Sequence, residues 1–222
     1  MRLLRFIVHT RRHPSAILLL AQLLGMILYP FLEQTRYGHV AFNAFGIVIL
    51  AFTVRMVRRT PGHTWFCVLM SIPIIALLSA QMVLDVPHLL PWSSGLEALF
   101  YFYAAGSLIA YMLEDRRVTT DELYAAGATF TLLAWGFTHL YLVVQALAPG
   151  SFAAAVNPEL PRSWTELNYL SFALLSSTGI GDVIPLTVHA RSLASIEMFA
   201  GLMYLASVVA RLIGLTMQPS SK

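Results

Sequence analysis

The chain has 222 residues, of which 58% are hydrophobic and only 11% charged, with a net charge of +3 and a mean hydropathy of +0.71. Soluble domains carry about 25% charged residues, so this composition excludes a soluble domain, an intrinsically disordered chain and a nucleic-acid-binding arm. The single cysteine, Cys67, excludes an intrachain disulfide scaffold and a cysteine-based metal site. The composition therefore indicates an integral membrane protein.

Six stretches are long and apolar enough to cross a bilayer, since a helical span needs about 20 mostly apolar residues. In chain order they are 15–32, 39–57, 65–84, 94–113, 122–147 and 190–214. Lipid offers no partner to an unpaired backbone amide, and the sequence has no barrel-like alternation, so each span must be helical. Before the first span, residues 1–14 carry the pattern of an amphipathic interfacial helix, although a flexible tail fits equally well.

Basic residues distinguish the two sides of the predicted bundle. Three of them, Arg36, Arg162 and Arg191, lie on one side and ten on the other. The ten are Arg2, Arg5, Arg11, Arg12, Arg55, Arg58, Arg59, Arg116, Arg117 and Lys222. Loops rich in Arg and Lys remain in the cytoplasm, so both termini are predicted to be cytoplasmic.

Three ionisable residues fall within the predicted spans, where such residues are functional candidates. Glu97 lies near the outer end of the fourth span, and we expect it to be solvated there. For His139, in the fifth span, an interhelical contact is the preferred interpretation over a pH sensor. Glu197, in the outer half of the last span, lies close to the segment described next and is a candidate for its support.

The segment between the last two spans, Leu147–His189, contains a short helix signal. Ser163-Trp164-Thr165-Glu166 is a capping box, in which the serine accepts from the third helical amide and Glu166 reaches back. The pattern predicts a helix from Ser163 through Leu175. At about 1.5 Å per residue this helix is shorter than 20 Å, so it enters the membrane without crossing it.

Hydroxyl side chains and two alternating glycines follow this helix, in the run Ser176–Pro185. Such a run is costly at membrane depth unless it lines a cavity filled with water or ions. Gly179 and Gly181 adopt left-handed backbone angles at little cost, so successive carbonyls can point in one direction. Aligned carbonyls are ligands for a dehydrated cation, and the short helix directs its partial negative C-terminus toward the same place.

Residues Ser177-Thr178-Gly179-Ile180-Gly181-Asp182 resemble the Thr-Val-Gly-Tyr-Gly-Asp selectivity filter of potassium channels. Gly201, 20 positions after Gly181, matches the place of the inner-helix hinge in that family. Met203-Tyr204-Leu205-Ala206 is similar to the Leu-Tyr-Leu-Ala run of its compact bacterial six-span members. The stretch 119–214 as a whole resembles the outer helix, pore helix, filter and inner helix of these channels.

This resemblance implies a homotetramer in a lipid bilayer, with one strand of the filter from each of four chains. Potassium ions would bind the Ser177 hydroxyl and the carbonyls of the filter, and no cofactor is expected. The residues that the resemblance assigns to ion binding are Ser177, Thr178, Gly179, Ile180 and Gly181. Those assigned to filter support are Asp182, Tyr169, Trp164 and Glu197. Those assigned to the hinge, the inner cavity or an apolar constriction are Gly201, Leu202, Leu205, Ala206 and Val209.

Two departures from the family pattern leave the selectivity open. Thr178 replaces the usual Val or Ile, and Ile180 replaces the usual Tyr or Phe, so a non-selective sodium and potassium channel is an alternative. The fourth span carries no basic residue, which excludes an ordinary voltage sensor. The implied organisation is a cytoplasmic segment 1–14, a four-helix domain 15–117 without gating arginines, a pore domain 118–216 and a tail 217–222.

Two other classes of protein are alternatives to the channel. Gly179-Ile180-Gly181-Asp182 also matches the motif of intramembrane aspartyl proteases, which need a second aspartate opposite the first. The other aspartates, Asp85, Asp115 and Asp121, are not placed in mid-membrane. A small transporter with a broken helix would be expected to carry an internal repeat, and none is found. We therefore expect a non-enzymatic channel without a nucleic-acid partner, in a bacterial inner membrane as the compact form and the preference for Arg over Lys suggest.

Overall fold

The computed structural model describes residues 14–33, 38–57, 64–84, 87–114 and 119–216. The predicted amphipathic segment up to residue 13 and the tail 217–222 lie outside these ranges. The helices are α1 (Pro14–Glu33), α2 (Gly38–Val57), α3 (Thr64–Leu84), α4 (Leu90–Leu113), α5 (Thr120–Leu147), α6 (Trp164–Leu175) and α7 (Val188–Thr216). A 3-10 turn, Pro87–Leu89, precedes α4, and two short strands, β1 (Phe152–Ala154) and β2 (Val183–Pro185), lie on either side of α6 in the sequence.

Each of the six predicted spans coincides with a helix, namely α1 to α5 and α7, which confirms the all-α character. Among the described residues, three helical stretches have the length and composition needed to cross a membrane: Pro14–Phe31, Leu90–Leu113 and Thr120–Leu147. Two shorter apolar stretches, Ala44–Val57 and Trp65–Gln81, lie in α2 and α3. The full count of six crossings and the fourfold assembly stay predictions.

The described residues form two compact units, of which the first holds α1 to α3 with residues 99–114 and 119–133. Apolar side chains such as Leu18, Ile49 and Leu50 are buried in its core. At the start of α1, the Ser15 amide and hydroxyl donate to the Asp121 carboxylate, at 3.1 and 2.8 Å. A carboxylate at a helix N-terminus compensates the partial positive charge there, so this contact fixes the start of α1 to the start of α5.

The second unit holds residues 90–98 and 134–216, including α6 and α7, which pack against each other. Strands β1 and β2 pair antiparallel, with Phe152 opposite Pro185 and Ala154 opposite Val183. This pairing joins the chain ahead of α6 to the chain that follows the glycine-rich segment. Residues 155–182 therefore form a loop that is closed at its base, and the predicted site lies in this loop. The predicted domain boundary at 117/118 stays a prediction.

Candidate functional site

The start of α6 carries the predicted capping box. The Glu166 amide donates to the Ser163 hydroxyl oxygen at 3.3 Å, and the Ser163 amide donates to Glu166 Oε2 at 2.8 Å. The helix runs from Trp164 to Leu175, which is 12 residues or about 18 Å. The sequence prediction of a short helix between the last two long helices is confirmed.

Arg162 organises the loop ahead of α6 although it is only 4% exposed. Its Nη1 donates to Glu166 Oε1 at 2.9 Å, and the Gln145 side chain exchanges two hydrogen bonds with the Arg162 backbone, at 2.9 and 2.8 Å. The guanidinium also donates to three backbone carbonyls, those of Val156, Asn157 and Leu160. Arg162 precedes the N-cap Ser163, so its ion pair with Glu166 crosses the start of α6 and adds to the capping box.

The backbone after α6 alternates in handedness. Ser177, Gly179 and Gly181 have φ angles of 58°, 56° and 83°, whereas Thr178 and Ile180 have negative φ. Glycine adopts a positive φ readily, but for a serine it is uncommon. Because residues with positive and negative φ alternate, successive carbonyls of this strand can point to the same side.

The first three amides of this strand, those of residues 177–179, donate to the C-terminal turn of α6. Thr178 and Gly179 both donate to the Ala173 carbonyl, at 2.9 and 3.0 Å, and Ser177 donates to Leu174 at 3.0 Å. Within the described part of the chain, no hydrogen bond has a carbonyl of residues 177–180 as its acceptor. The described residues also contain no group of three His, Cys, Asp or Glu side chains suited to a metal ion. The carbonyls of residues 177–180 thus have no described donor, and their binding of a cation stays a prediction.

Side chains around the strand hold its two ends. The hydroxyls of Ser176 and Thr178 lie 2.6 Å apart, a contact that sequence analysis missed. Asp182 accepts from the Val183 amide at 3.0 Å through Oδ1, and its carbonyl accepts from the Ala155 amide at 2.9 Å. The strand is thus fastened to the β1–β2 sheet at its C-terminal end.

Tyr169 lies beside Asp182, as proposed from the sequence for filter support. Desolvation first, and then the charge and hydrogen bond of the Asp182 carboxylate, raise the pKa of the Tyr169 hydroxyl above its ordinary value. Trp164, the second candidate, is buried and packs edge-on against Trp135 with ring centroids 5.9 Å apart. Of the two aromatic candidates, Tyr169 makes the described contact with Asp182.

Glu197 is fully buried and joins three helices. The Tyr141 hydroxyl on α5 donates to its Oε2, and the Ser171 hydroxyl on α6 forms a hydrogen bond with its Oε1. The Ser171 oxygen also lies 2.8 Å from the Ala134 carbonyl oxygen. Glu197 is a candidate from the sequence, whereas its partners Tyr141 and Ser171 lie 56 and 26 positions away and leave no local pattern.

The expectation that Glu97 is solvated is wrong. Glu97 is 5% exposed, and its Oε2 lies 3.4 Å from His139 Nδ1. The reason is geometric, because the face of α4 that carries Glu97 packs against α5 rather than facing water. The expected interhelical contact of His139 is confirmed.

The inner-helix candidate α7 runs through Gly201 without interruption. A β-carbon at Gly201 would lie 2.3 Å from the Leu175 carbonyl oxygen and 2.6 Å from the Leu175 Cα. The glycine therefore permits close approach of α7 to the end of α6, whereas its role as a hinge stays a prediction. Leu202 and Ala206 are exposed and Leu205 is half-buried, while the Val209 side chain lies outside the described part of the chain.

Comparison with known proteins gives one match. A family model described as ion channel matches residues 98–218, just over half of the chain. The matched range contains the end of α4 together with α5, α6, the glycine-rich strand and α7. No curated protein and no solved structure matches the chain significantly.

Proposed function

Since the chain belongs to the ion channel family, as a pore-loop cation channel, we propose that it is a potassium channel with Ser177–Gly181 as its filter. The observation that carries the proposal is the alternating backbone of residues 177–181, with positive φ at Ser177, Gly179 and Gly181. This alternation, together with amides that are occupied by α6, leaves a row of carbonyls available to an ion.

The proposed ion sites use the carbonyls of Ser177, Thr178, Gly179 and Ile180, and the Ser177 hydroxyl contributes to the innermost site. Rings of carbonyls replace the hydration shell of a permeating potassium ion. The α6 helix ends two residues before Ser177, so its partial negative C-terminus adds to the attraction for a cation.

One strand per chain supplies a quarter of such a ring, so we propose a homotetramer. In a single chain, Ile180 of the filter is 61% exposed, and Phe199 and Leu202 of α7 are 66% and 59% exposed. Large exposed apolar surfaces mark sites of protein or lipid contact. Their position on the filter and on the helix behind it supports copies of the same chain as the partners.

Potassium selectivity is proposed in spite of Thr178 and Ile180. The atoms that select the ion are backbone carbonyls, and the side chains of Thr178 and Ile180 do not replace them. The contact between Tyr169 and Asp182 supports the filter in place of the missing filter tyrosine. A filter that passes both sodium and potassium is the alternative, favoured by the exposed aliphatic side chain of Ile180.

Gating is proposed to reside in the filter or in the inner helix, because α4 carries no basic residue that could sense voltage. Leu202, Leu205 and Ala206 are the candidates for an inner cavity or constriction. The distribution of Arg and Lys supports cytoplasmic termini, and a bacterial inner membrane is the proposed location.

The test is an ion-flux assay in liposomes that contain the purified protein, with potassium and sodium gradients compared. We expect potassium uptake that barium blocks and sodium uptake that is much smaller. Equal uptake of the two ions would replace the selective channel with the non-selective alternative. Absence of any uptake, in a preparation shown to be tetrameric and folded, would contradict the channel proposal.

Asp182→Asn separates the channel from the aspartyl protease. An enzyme loses its cleavage activity when its catalytic aspartate becomes an amide, whereas the proposed filter keeps its carbonyls and continues to conduct. Protease activity in the unmodified protein that the variant lacks would overturn the proposal.

A further inference from the structure

The cluster around Glu197 contains three hydrogen-bond contacts, but its two hydroxyl groups supply only two protons. Tyr141 contacts Glu197 Oε2, Ser171 contacts Glu197 Oε1, and the same Ser171 hydroxyl contacts the Ala134 carbonyl oxygen. The serine hydroxyl and the tyrosine hydroxyl each carry one proton, and the backbone carbonyl carries none. If Glu197 is ionised, two protons must serve three contacts. If Glu197 carries a proton, each contact has its own donor.

The surroundings of Glu197 also disfavour a charge. The residue is fully buried, and among the described residues no arginine or lysine forms an ion pair with it. An isolated carboxylate in an apolar interior is costly, and such a group is normally neutral. The count of protons and the absence of a described cation therefore both indicate that Glu197 is uncharged.

We propose that Glu197 is a neutral carboxylic acid that positions the pore helix. Its O–H donates to the Ser171 hydroxyl oxygen, the Ser171 O–H donates onward to the Ala134 carbonyl, and Tyr141 donates to the remaining carboxyl oxygen. This chain of hydrogen bonds ties α6 to α5 and α7 at once. The positioning role rests on the proposed function, because it matters for conduction only if the residues after α6 form the filter.

The protonation state is tested by infrared difference spectroscopy on the tetramer in lipid at neutral pH. A protonated carboxyl group gives a carbonyl stretching band that an ionised carboxylate lacks. We expect this band in the unmodified protein, its loss in Glu197→Gln, and no change in Glu159→Gln, which alters an exposed glutamate. Carboxylate bands in place of the acid band in the difference between the unmodified protein and Glu197→Gln would overturn the proposal.

Tyr141→Phe is a second variant for the infrared test, in which Glu197 itself is unchanged. This change removes the hydroxyl that donates to Glu197 Oε2, so the acid band is expected to shift in frequency without disappearing. An acid band that keeps its frequency in Tyr141→Phe would show that the protonated group does not accept from Tyr141, and the proposed chain of hydrogen bonds would fall.

The positioning role is tested by ion flux with two variants of the same residue. Glu197→Gln keeps a donor toward Ser171 and an acceptor toward Tyr141, so potassium-over-sodium selectivity is expected to be retained. Glu197→Ala leaves both hydroxyls without this partner and is expected to lower selectivity by about tenfold or more. Equal losses in the two variants, with tetramer content unchanged, would contradict the role. If the unmodified protein carries no ions, the proposed function fails, while the infrared result still decides the protonation state.

Discussion

Gly201→Ala is the sharpest test of how α7 holds the end of the pore helix. The added β-carbon would lie 2.3 Å from the Leu175 carbonyl oxygen and 2.6 Å from the Leu175 Cα. Both are backbone atoms that cannot rotate away. Ordinary contact begins at about 3.4 Å, so α6 and α7 must separate by about 1 Å. Leu175 is two positions from Ser177, so we expect the separation to reach the proposed filter.

Overpacking of this kind costs about 1–3 kcal/mol, hence about 4–12 kcal/mol over four copies in the proposed tetramer. A binding site has to be held to within about 0.5 Å of its working geometry, and a shift of 1 Å exceeds that tolerance. We therefore expect Gly201→Ala to abolish potassium flux. We also expect a fall in the thermal unfolding midpoint of about 2–4 °C for each kcal/mol lost.

Gly106→Ala is the matched control, because a β-carbon at Gly106 on α4 meets no atom within 4 Å. In a helix, alanine is favoured over glycine by about 1 kcal/mol, so flux is expected to be unchanged and stability unchanged or higher. Full flux with an unchanged unfolding temperature in Gly201→Ala would refute the packing argument. Lost flux at an unchanged unfolding temperature would assign Gly201 to bending instead.

Three further predictions concern the filter and two polar contacts. Gly179→Ala is expected to abolish conduction because a φ of +56° disfavours a β-carbon by about 1–2 kcal/mol, although no atom lies within 4 Å. Gly150→Ala, with a φ of +81° and equally open surroundings, should cost stability and leave flux intact, and equal fluxes in the two variants would contradict the filter assignment. A double-mutant cycle of Glu97→Gln and His139→Gln in thermal unfolding should give a coupling of about 0.5–3 kcal/mol, and additive effects would refute the buried contact. The raised pKa of Tyr169 means that the folded state holds the hydroxyl proton more tightly than the unfolded state does. The stability that this proton contributes is present below pH about 10 and is lost as the pH rises through the raised pKa. Tyr169→Phe should abolish this fall in the free energy of unfolding at alkaline pH, measured at successive pH values. A fall that persists in the variant would belong to another group.

The helices and the capped start of α6 were predictable because their causes are local. Long apolar runs require helical structure in lipid, and each of the six runs coincides with a helix. The capping box of Ser163 and Glu166 involves residues three positions apart, so the sequence contains the whole interaction. The glycines at 179 and 181 likewise signalled the positive φ angles that the strand has.

Contacts between distant segments were not predictable in the same way. The partners of Glu197 lie 26 and 56 positions away, and no local spacing connects them. The burial of Glu97 depends on which face of α4 meets α5, and apolar residues around the whole helix leave that face undetermined. Ser177 has a positive φ without being glycine, so its side chain gave no sign of its backbone angle.

The antiparallel pairing of β1 with β2 has a consequence for biogenesis. Both strands belong to one chain and close the loop of residues 155–182 at its base, so each protomer can fold its part of the proposed conduction pathway before it meets another copy. Assembly of the proposed tetramer would then join loops that are already folded. In the proposed tetramer, a protomer with a damaged filter would enter as readily as an intact one, and a single defective copy would act dominantly over its three neighbours.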